Sequence, residues 1–167
     1  IIEPIDTLEK GDLDGWAQVY NVNVLGALRV TQLALPHIFK QTGRIINVSS
    51  KAVNELKPGF GAYSTSKAAL NHVTQMLAYE NEQVVCVAVG PGAIDTEMQK
   101  VIERDTMNRD DIVGRFFQRR PPRTLPSPDE PAKAIATLAI YADFNLQGKF
   151  VMWDDERVQQ LVKQHWG

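Results

Sequence analysis

An α/β fold, with a parallel sheet covered by helices, is predicted by three observations on this 167-residue sequence. Short β-branched apolar runs alternate with longer segments whose apolar residues recur every three or four positions. The connections between runs are too long for hairpins, which argues for crossover connections between parallel strands. Apolar residues make up 44% of the chain, enough for one core and few for two, so 1–167 reads as a single domain.

The first helix is expected over 14–40, where Trp16, Tyr20, Ala27, Val30, Ala34 and Ile38 keep a helical spacing. Pro36 inside it marks a kink or the last turns. Gly43 breaks the pattern, and Arg44-Ile45-Ile46-Asn47-Val48 follows as a buried strand ending at Ser49-Ser50. A loop through Lys57-Pro58-Gly59 leads to a second helix over 62–79, with Leu70, Val73 and Leu77 on one stripe. The run over 84–89 is a second strand, stopped by Gly90-Pro91-Gly92.

The region 97–126 is polar and of mixed charge, and is read as a substrate loop. Its end, Arg119-Arg120-Pro121-Pro122-Arg123, is too proline-rich for regular structure and reads as a solvated loop or a cap over the site. Ser127-Pro128-Asp129-Glu130 resembles a capping box with Ser127 at the N-cap, although Pro131 leaves Asp129 as an alternative cap. That helix should reach about Tyr141. A last strand is expected over 149–153, and 154–167 reads as a polar tail. In a parallel sheet ligands sit at the carboxyl ends of the strands, so Ser50 and Gly90-Pro91-Gly92 share the ligand edge.

Several function classes drop out on composition. The net charge of -2 has no block of one sign, which implies neither nucleic acid nor a membrane surface. No apolar stretch approaches the ~20 residues of a membrane span, and no signal peptide is recognisable. The single cysteine, Cys86, lies in an apolar run and reads as a small buried hydrophobe. These features lead to an expected cytoplasmic protein. No metal-ligand spacing is present, so no metal is expected.

Chemistry is concentrated in Tyr63 and Lys67. At (i, i+4) on a helix their side chains share a face, so the ammonium can act on the phenol. A phenol with a pKa near 10 is a poor proton shuttle at neutral pH; a neighbouring cation lowers that pKa by ~1–3 units. The Ser50 hydroxyl, at the end of the preceding strand, can hold a substrate oxygen for Tyr63. With four tyrosines, a Tyr-x-x-x-Lys match arises by accident roughly 0.2 times in such a composition. A serine thirteen residues ahead and a following Pro91-Gly92 with Thr96 make coincidence implausible.

These residues resemble the short-chain dehydrogenase/reductase family over essentially the whole chain. WAQVYNVNVLG is similar to the family's helix carrying an asparagine, here Asn23; GRIINVSS to the strand carrying the serine, Ser50; AYSTSKAAL to the Tyr-x-x-x-Lys helix; and VGPGAIDTEMQ to the segment that holds the nicotinamide. Within the family, PGAIDTEMQK and GKFVMWDDER look most like the sepiapterin reductase and fungal benzil reductase branch.

The resemblance implies the carboxyl-terminal portion of a Rossmann-type doubly wound sheet and an NADP-dependent reduction of a small-molecule ketone or diketone. Tyr63 would be the general acid and Ser50 the orienting hydroxyl, both touching substrate. Lys67 would depress the Tyr63 pKa and, with Tyr63, bind the nicotinamide ribose. Asn23 would interrupt its helix and hold a water leading to Lys67. Pro91 and Gly92 would hold the nicotinamide, the backbone around Ile94 would meet its carboxamide, and Thr96 the carboxamide or the pyrophosphate. Trp153, Asp154 and Asp155 lie where related reductases contact substrate. A homodimer through the helices of Asn23 and Tyr63 is implied for the parent protein.

The Gly-rich pyrophosphate turn that opens such folds is not found, and the chain begins at Ile1. The expectation is therefore the back portion of a larger enzyme, inactive by itself. A non-catalytic interaction module and an epimerase or dehydratase of the extended short-chain type are the alternatives.

Overall fold

The computed structural model describes residues 1–39, 43–121 and 124–167. Three strands, β1 (Arg44–Val48), β2 (Val85–Gly90) and β3 (Phe150–Met152), form a parallel sheet in the order β1-β2-β3. Arg44 pairs with Val85 and Val48 with Val89, while Ala88 pairs with Phe150 and Gly90 with Met152. Every residue of β2 is buried, as expected of a central strand covered on both faces. Among the described residues β1 lies at one edge of this sheet.

Alternation along β2 assigns its two faces. Val85, Val87 and Val89 pack with Ala134, Leu138, Val158 and Val162 of two helices, α6 (Asp129–Tyr141) and α7 (Glu156–Trp166). Val84, just ahead of the strand, and Cys86 turn the other way. They meet Leu77 and Val73 of α3 (Gly61–Glu80) and Leu35 and Ile38 of α2 (Ala27–Ile38). Helices thus cover both faces, the doubly wound arrangement the sequence predicts.

The predicted helix over 14–40 is present in three pieces: α1 (Leu13–Tyr20), a π-helical stretch over Asn21–Gly26, and α2. Its expected end at Lys40 falls outside the described residues. Pro36 sits in the last turns of α2. The Asp12 carboxylate caps α1 by accepting from the N–H groups of Asp14 and Gly15. The polar region contains α4 (Glu97–Thr106) and α5 (Ile112–Gln118), the latter capped by Asp111. Its expected irregular end lies partly outside the described residues, at 122 and 123.

Two expectations are corrected. Residues 154–167 are not a polar tail: 156–166 form α7, because Val158, Leu161 and Val162 keep a helical spacing and pack against the α6 face of the sheet. The Ser127 cap lies one residue ahead of the expected register, with Pro128 at the N-cap and the helix beginning at Asp129. Ser127 Oγ accepts from the Asp129 N–H at 3.3 Å. Pro131 fits without cost, since first-turn N–H groups have no partner inside the helix.

Gln147 staples the start of β2. Its carbonyl accepts from the buried Cys86 N–H at 2.8 Å, and its amide donates to the Ala78 and Val84 carbonyls at 3.0 Å each. Gln147→Leu keeps the bulk and leaves these groups unsatisfied, which costs about 1–3 kcal/mol. At roughly 2–4 °C per kcal/mol for a domain of this size, the melting temperature is expected to fall several degrees by calorimetry. An unchanged value would mean water replaces the side chain.

Candidate active site

Parallel strands bring all their carboxyl ends to one edge, and the segments following the three strands converge there on a cavity of about 530 Å³. Ser50 and Lys51 come from the end of β1, Pro91 and Gly92 from β2, and Met152, Trp153 and Asp154 from β3. Tyr63 reaches the same cavity from the first turn of α3.

Extended backbone at Ser50 lets its hydroxyl cap the short helix Lys51–Val53, accepting from the Ala52 N–H at 3.1 Å. The Tyr63 phenol shares the cavity with this hydroxyl. Ser49, its neighbour, is buried, and its backbone N–H bonds the Val89 carbonyl at 2.7 Å as part of the sheet edge. Successive strand residues point to opposite faces, so only one serine of the pair opens to the cavity.

The Tyr63 phenol is buried, and this burial pushes its pKa above the ordinary value; the Ser50 hydroxyl draws it only partly back. The expected depression by Lys67 is not found. Lys67 Nζ lies 5.9 Å from the Tyr63 ring centroid and donates to the Val48 carbonyl at 2.8 Å. Burial also lowers the pKa of Lys67. Desolvation therefore outweighs the helical (i, i+4) proximity, and the phenol stays protonated at neutral pH.

Asn23 and Lys67 line a different groove, which runs along β1 beside α2. The π-helical stretch puts the interruption of regular hydrogen bonding at Asn23. Its side chain is fully engaged: it accepts from the Ile1 amine at 2.8 Å, and it donates to the Ile1 carbonyl at 2.9 Å and to Ser66 Oγ at 3.0 Å. Ser66 Oγ donates onward to the Tyr63 carbonyl at 2.7 Å. The four residues are thus adjacent but divided, with Ser50 and Tyr63 facing one cavity and Asn23 and Lys67 the other.

Gly92 has φ +74°, a conformation that penalises any side chain, and a Cβ there would sit 3.6 Å from Trp153 Nε1. Pro91 and Gly92 therefore present a bare wall suited to a planar ring. Ile94 and Thr96 do not line the cavity: Thr96 is the N-cap of α4, with Oγ1 3.4 Å from the Ile94 carbonyl. Met98, Gln99 and Ile102 of α4 line it instead. Asp154 lines it, while Asp155 is turned back to accept from the Met152 N–H at 2.8 Å. Cys86 is buried with its thiol pushed up to about 11, and His72 lies at the surface beside Gln75; neither is in the site.

Sequence reasoning missed Phe60, whose ring meets Tyr63 edge-on at 6.1 Å. The signal was its position three residues ahead of Tyr63 at a helix start. It also missed the clamp that holds α5 over the site. Arg109 donates to the Ile5 carbonyl and to Asp6, each at 2.8 Å, and also to Asp111. The guanidinium holds the Asp111 carboxyl at about 2 and lowers that of Asp6. Hydrogen bonds from Lys57 and Lys51 likewise hold Glu55 at about 2.

Carboxyls with depressed folded-state pKa values add stability above their ordinary range near 4, and this is lost as pH falls toward 2. Melting temperature is therefore expected to drop over about pH 4 to 2, with a shallower drop in Arg109→Gln. Equal slopes in the two proteins would remove the clamp from this account. Among the described residues no helix is long and apolar enough to cross a membrane, and no acidic or histidine cluster could hold a metal ion.

Residues 2–107 match the family model for short chain dehydrogenases, covering the strand that ends at Ser50, the Tyr63 helix and the Pro91-Gly92 segment. The chain belongs to the short-chain dehydrogenase family. It is 34% identical to an uncharacterized oxidoreductase of Schizosaccharomyces pombe over 92% of this chain and 63% of that protein. It is 31% identical to an (S)-benzoin-forming benzil reductase of Saccharomyces cerevisiae over 95% of this chain and 65% of that one. The crystal structure of a short chain dehydrogenase/reductase from Saccharomyces cerevisiae superposes with a TM-score of 0.85 at 30% identity, covering 96% of this chain and 65% of that one. This short-chain dehydrogenase chain thus spans a little under two thirds of the length of the relatives it matches, and its sheet with helices on both faces is of the Rossmann type.

Proposed function

We propose that the protein carrying this chain is an oxidoreductase that reduces a ketone or diketone to an alcohol with a nicotinamide cofactor, NADP in our reading. The observation that carries this is the placement of Ser50 and Tyr63 in one cavity with the side-chain-free wall at Gly92. Likeness to benzil reductases at 31–33% identity supports a carbonyl substrate. The residues of this cavity fit a nicotinamide: Pro91 and Gly92 would lie against the ring and Tyr63 would meet its ribose, while Lys67 would have to reach the ribose from the neighbouring groove. When bound, the reduced cofactor supplies hydride to the carbonyl carbon.

The chain's own residues handle position and protons. Ser50 donates to the carbonyl oxygen and holds it beside Tyr63. Tyr63, kept protonated by burial, gives its proton to the oxygen as the alcohol forms. Lys67, adjacent and with its pKa lowered, is the group that returns a proton to the phenolate. Asn23 positions this assembly through Ser66 and the backbone of Tyr63. Ile94 and Thr96 would close on the carboxamide side only after the segment ahead of α4 shifts. A homodimer through the helices of Asn23 and Tyr63 completes the reading, supported by exposed Leu33 and Tyr79 on those helices.

The test is carbonyl-dependent oxidation of NADPH, with NADH in parallel, using benzil and a dialkyl diketone. Turnover of either carbonyl with NADPH is expected from the whole protein; none with either cofactor sinks the reading. The isolated 167-residue chain is expected to be inactive, and turnover by it would refute that part alone.

A further inference from the structure

A second cavity of about 510 Å³ adjoins the first, between α4 and α5. The two share Lys57, Phe60, Ala93, Gln99, Ile102 and Arg120 as lining, so they are adjoining compartments. Their linings differ in chemistry. The first holds the polar Ser50 and Tyr63 hydroxyls, whereas the second adds Met107, Phe117 and Leu125 to Phe60 and Ile102, beside the polar Glu103 and Gln118. Phe117 stands beside Phe60 at 5.5 Å and a 31° tilt, and Phe60 in turn abuts Tyr63 edge-on. An aromatic path therefore leads from the candidate proton donor into the second compartment.

We propose that this compartment is an aryl subsite and that Phe117 sets a preference for carbonyl compounds bearing an aromatic group. A carbonyl oxygen held between Ser50 and Tyr63 can send one substituent past Phe60 into the second compartment. A flat ring there joins the Phe60–Phe117 pair by offset or edge contacts, which discriminate a ring from a small alkyl group. The Arg120 guanidinium, 5.6 and 5.7 Å from the Phe116 and Phe117 ring centroids, holds these rings beside the cavity wall it shares. The volume is ample for one substituted ring, since whole drug-sized ligands occupy about 300–1,000 Å³. For its turnover arm the inference rests on the carbonyl-reductase reading; the subsite itself does not.

Methyl-resolved NMR with oxidised NADP present is the first test, comparing benzil with 2,3-butanedione as probes. Benzil is expected to shift the Ile102 and Leu125 methyl resonances and butanedione to leave them. Shifts confined to other residues would overturn the subsite. In Phe117→Ala the benzil dissociation constant is expected to rise roughly 10-fold, and the ratio of kcat/KM for benzil over butanedione to fall by a similar factor. Leu125→Trp, which puts a bulky side chain into the compartment and leaves Phe117 in place, is expected to give the same loss should Phe117→Ala fold poorly. An unchanged ratio and an unchanged benzil affinity in both variants would refute the proposal. Methyl shifts and weakened binding without any turnover would instead refute carbonyl reduction and leave the aryl subsite standing.

Discussion

Tyr63→Phe is expected to lower kcat/KM for carbonyl reduction by about 10²–10⁴-fold, the usual worth of a positioned proton donor. The substitution removes one hydroxyl and little else. The ring keeps its edge contact with Phe60 and its place in the cluster with Ile2, Ala52 and Ile102. Ser50 keeps the Ala52 N–H as a partner, so circular dichroism and melting temperature should stay close to the parent's. The pH profile carries a second signature. Because burial pushes the phenol above its ordinary pKa of 10, the donor form persists through neutral and mildly alkaline pH. Reduction is expected to lose rate only when alkali deprotonates it. The reverse oxidation, which needs the phenolate, should gain with pH over the same range. A Phe variant within tenfold of the parent, or reduction that fails below pH 8, would assign the proton to another group.

Gly114→Ala is expected to destabilise the fold by about 3 kcal/mol or more, at or beyond the upper end of the overpacking range. A Cβ at Gly114 would overlap the Arg109 carbonyl oxygen and carbon, both backbone atoms that cannot swing aside. Relief requires α5 to move away from the loop holding Arg109. That displaces the Asp111 cap and the Arg109 bonds to Ile5 and Asp6. Phe117, one turn along α5, would move with it and open the wall of the second compartment. Chemical denaturation should show the lost stability. Residual folded protein should reduce an aryl diketone less efficiently. A variant as stable as the parent would mean that the approach of α5 to Arg109 is looser than the structure has it.

Both predictions depend on different layers of legibility. Tyr63 and Lys67 stand four apart in a segment whose helical period is plain, so their shared face follows from chain geometry alone. The strands at 44–48 and 85–90 are nearly as readable, being short apolar runs, one opened by Gly43 and the other closed by Gly90. Helix α7 was readable but was masked by its charged neighbours, since Val158, Leu161 and Val162 supply only one narrow stripe. Helices α4 and α5 could not be delimited, because their apolar residues face a cap cluster drawn from distant segments, Ile2, Ile5 and Phe60 among them. The Arg109 clamp joins positions more than a hundred residues apart, and no local pattern announces it.

By itself the sequence determined the strands, the helices that carry Asn23 and Tyr63, the parallel sheet and the identity of the candidate proton-handling residues, because helical and strand periods and motif spacings are properties of neighbouring residues. Only the tertiary structure decided the electrostatics and the boundaries of the site. Whether Tyr63 is made more or less acidic turns on how much water its packing removes against how near Lys67 comes. Which side chains wall the substrate space turns on where α5 is anchored. Both are sums over atoms far apart in the chain, and no reading of adjacent residues contains them.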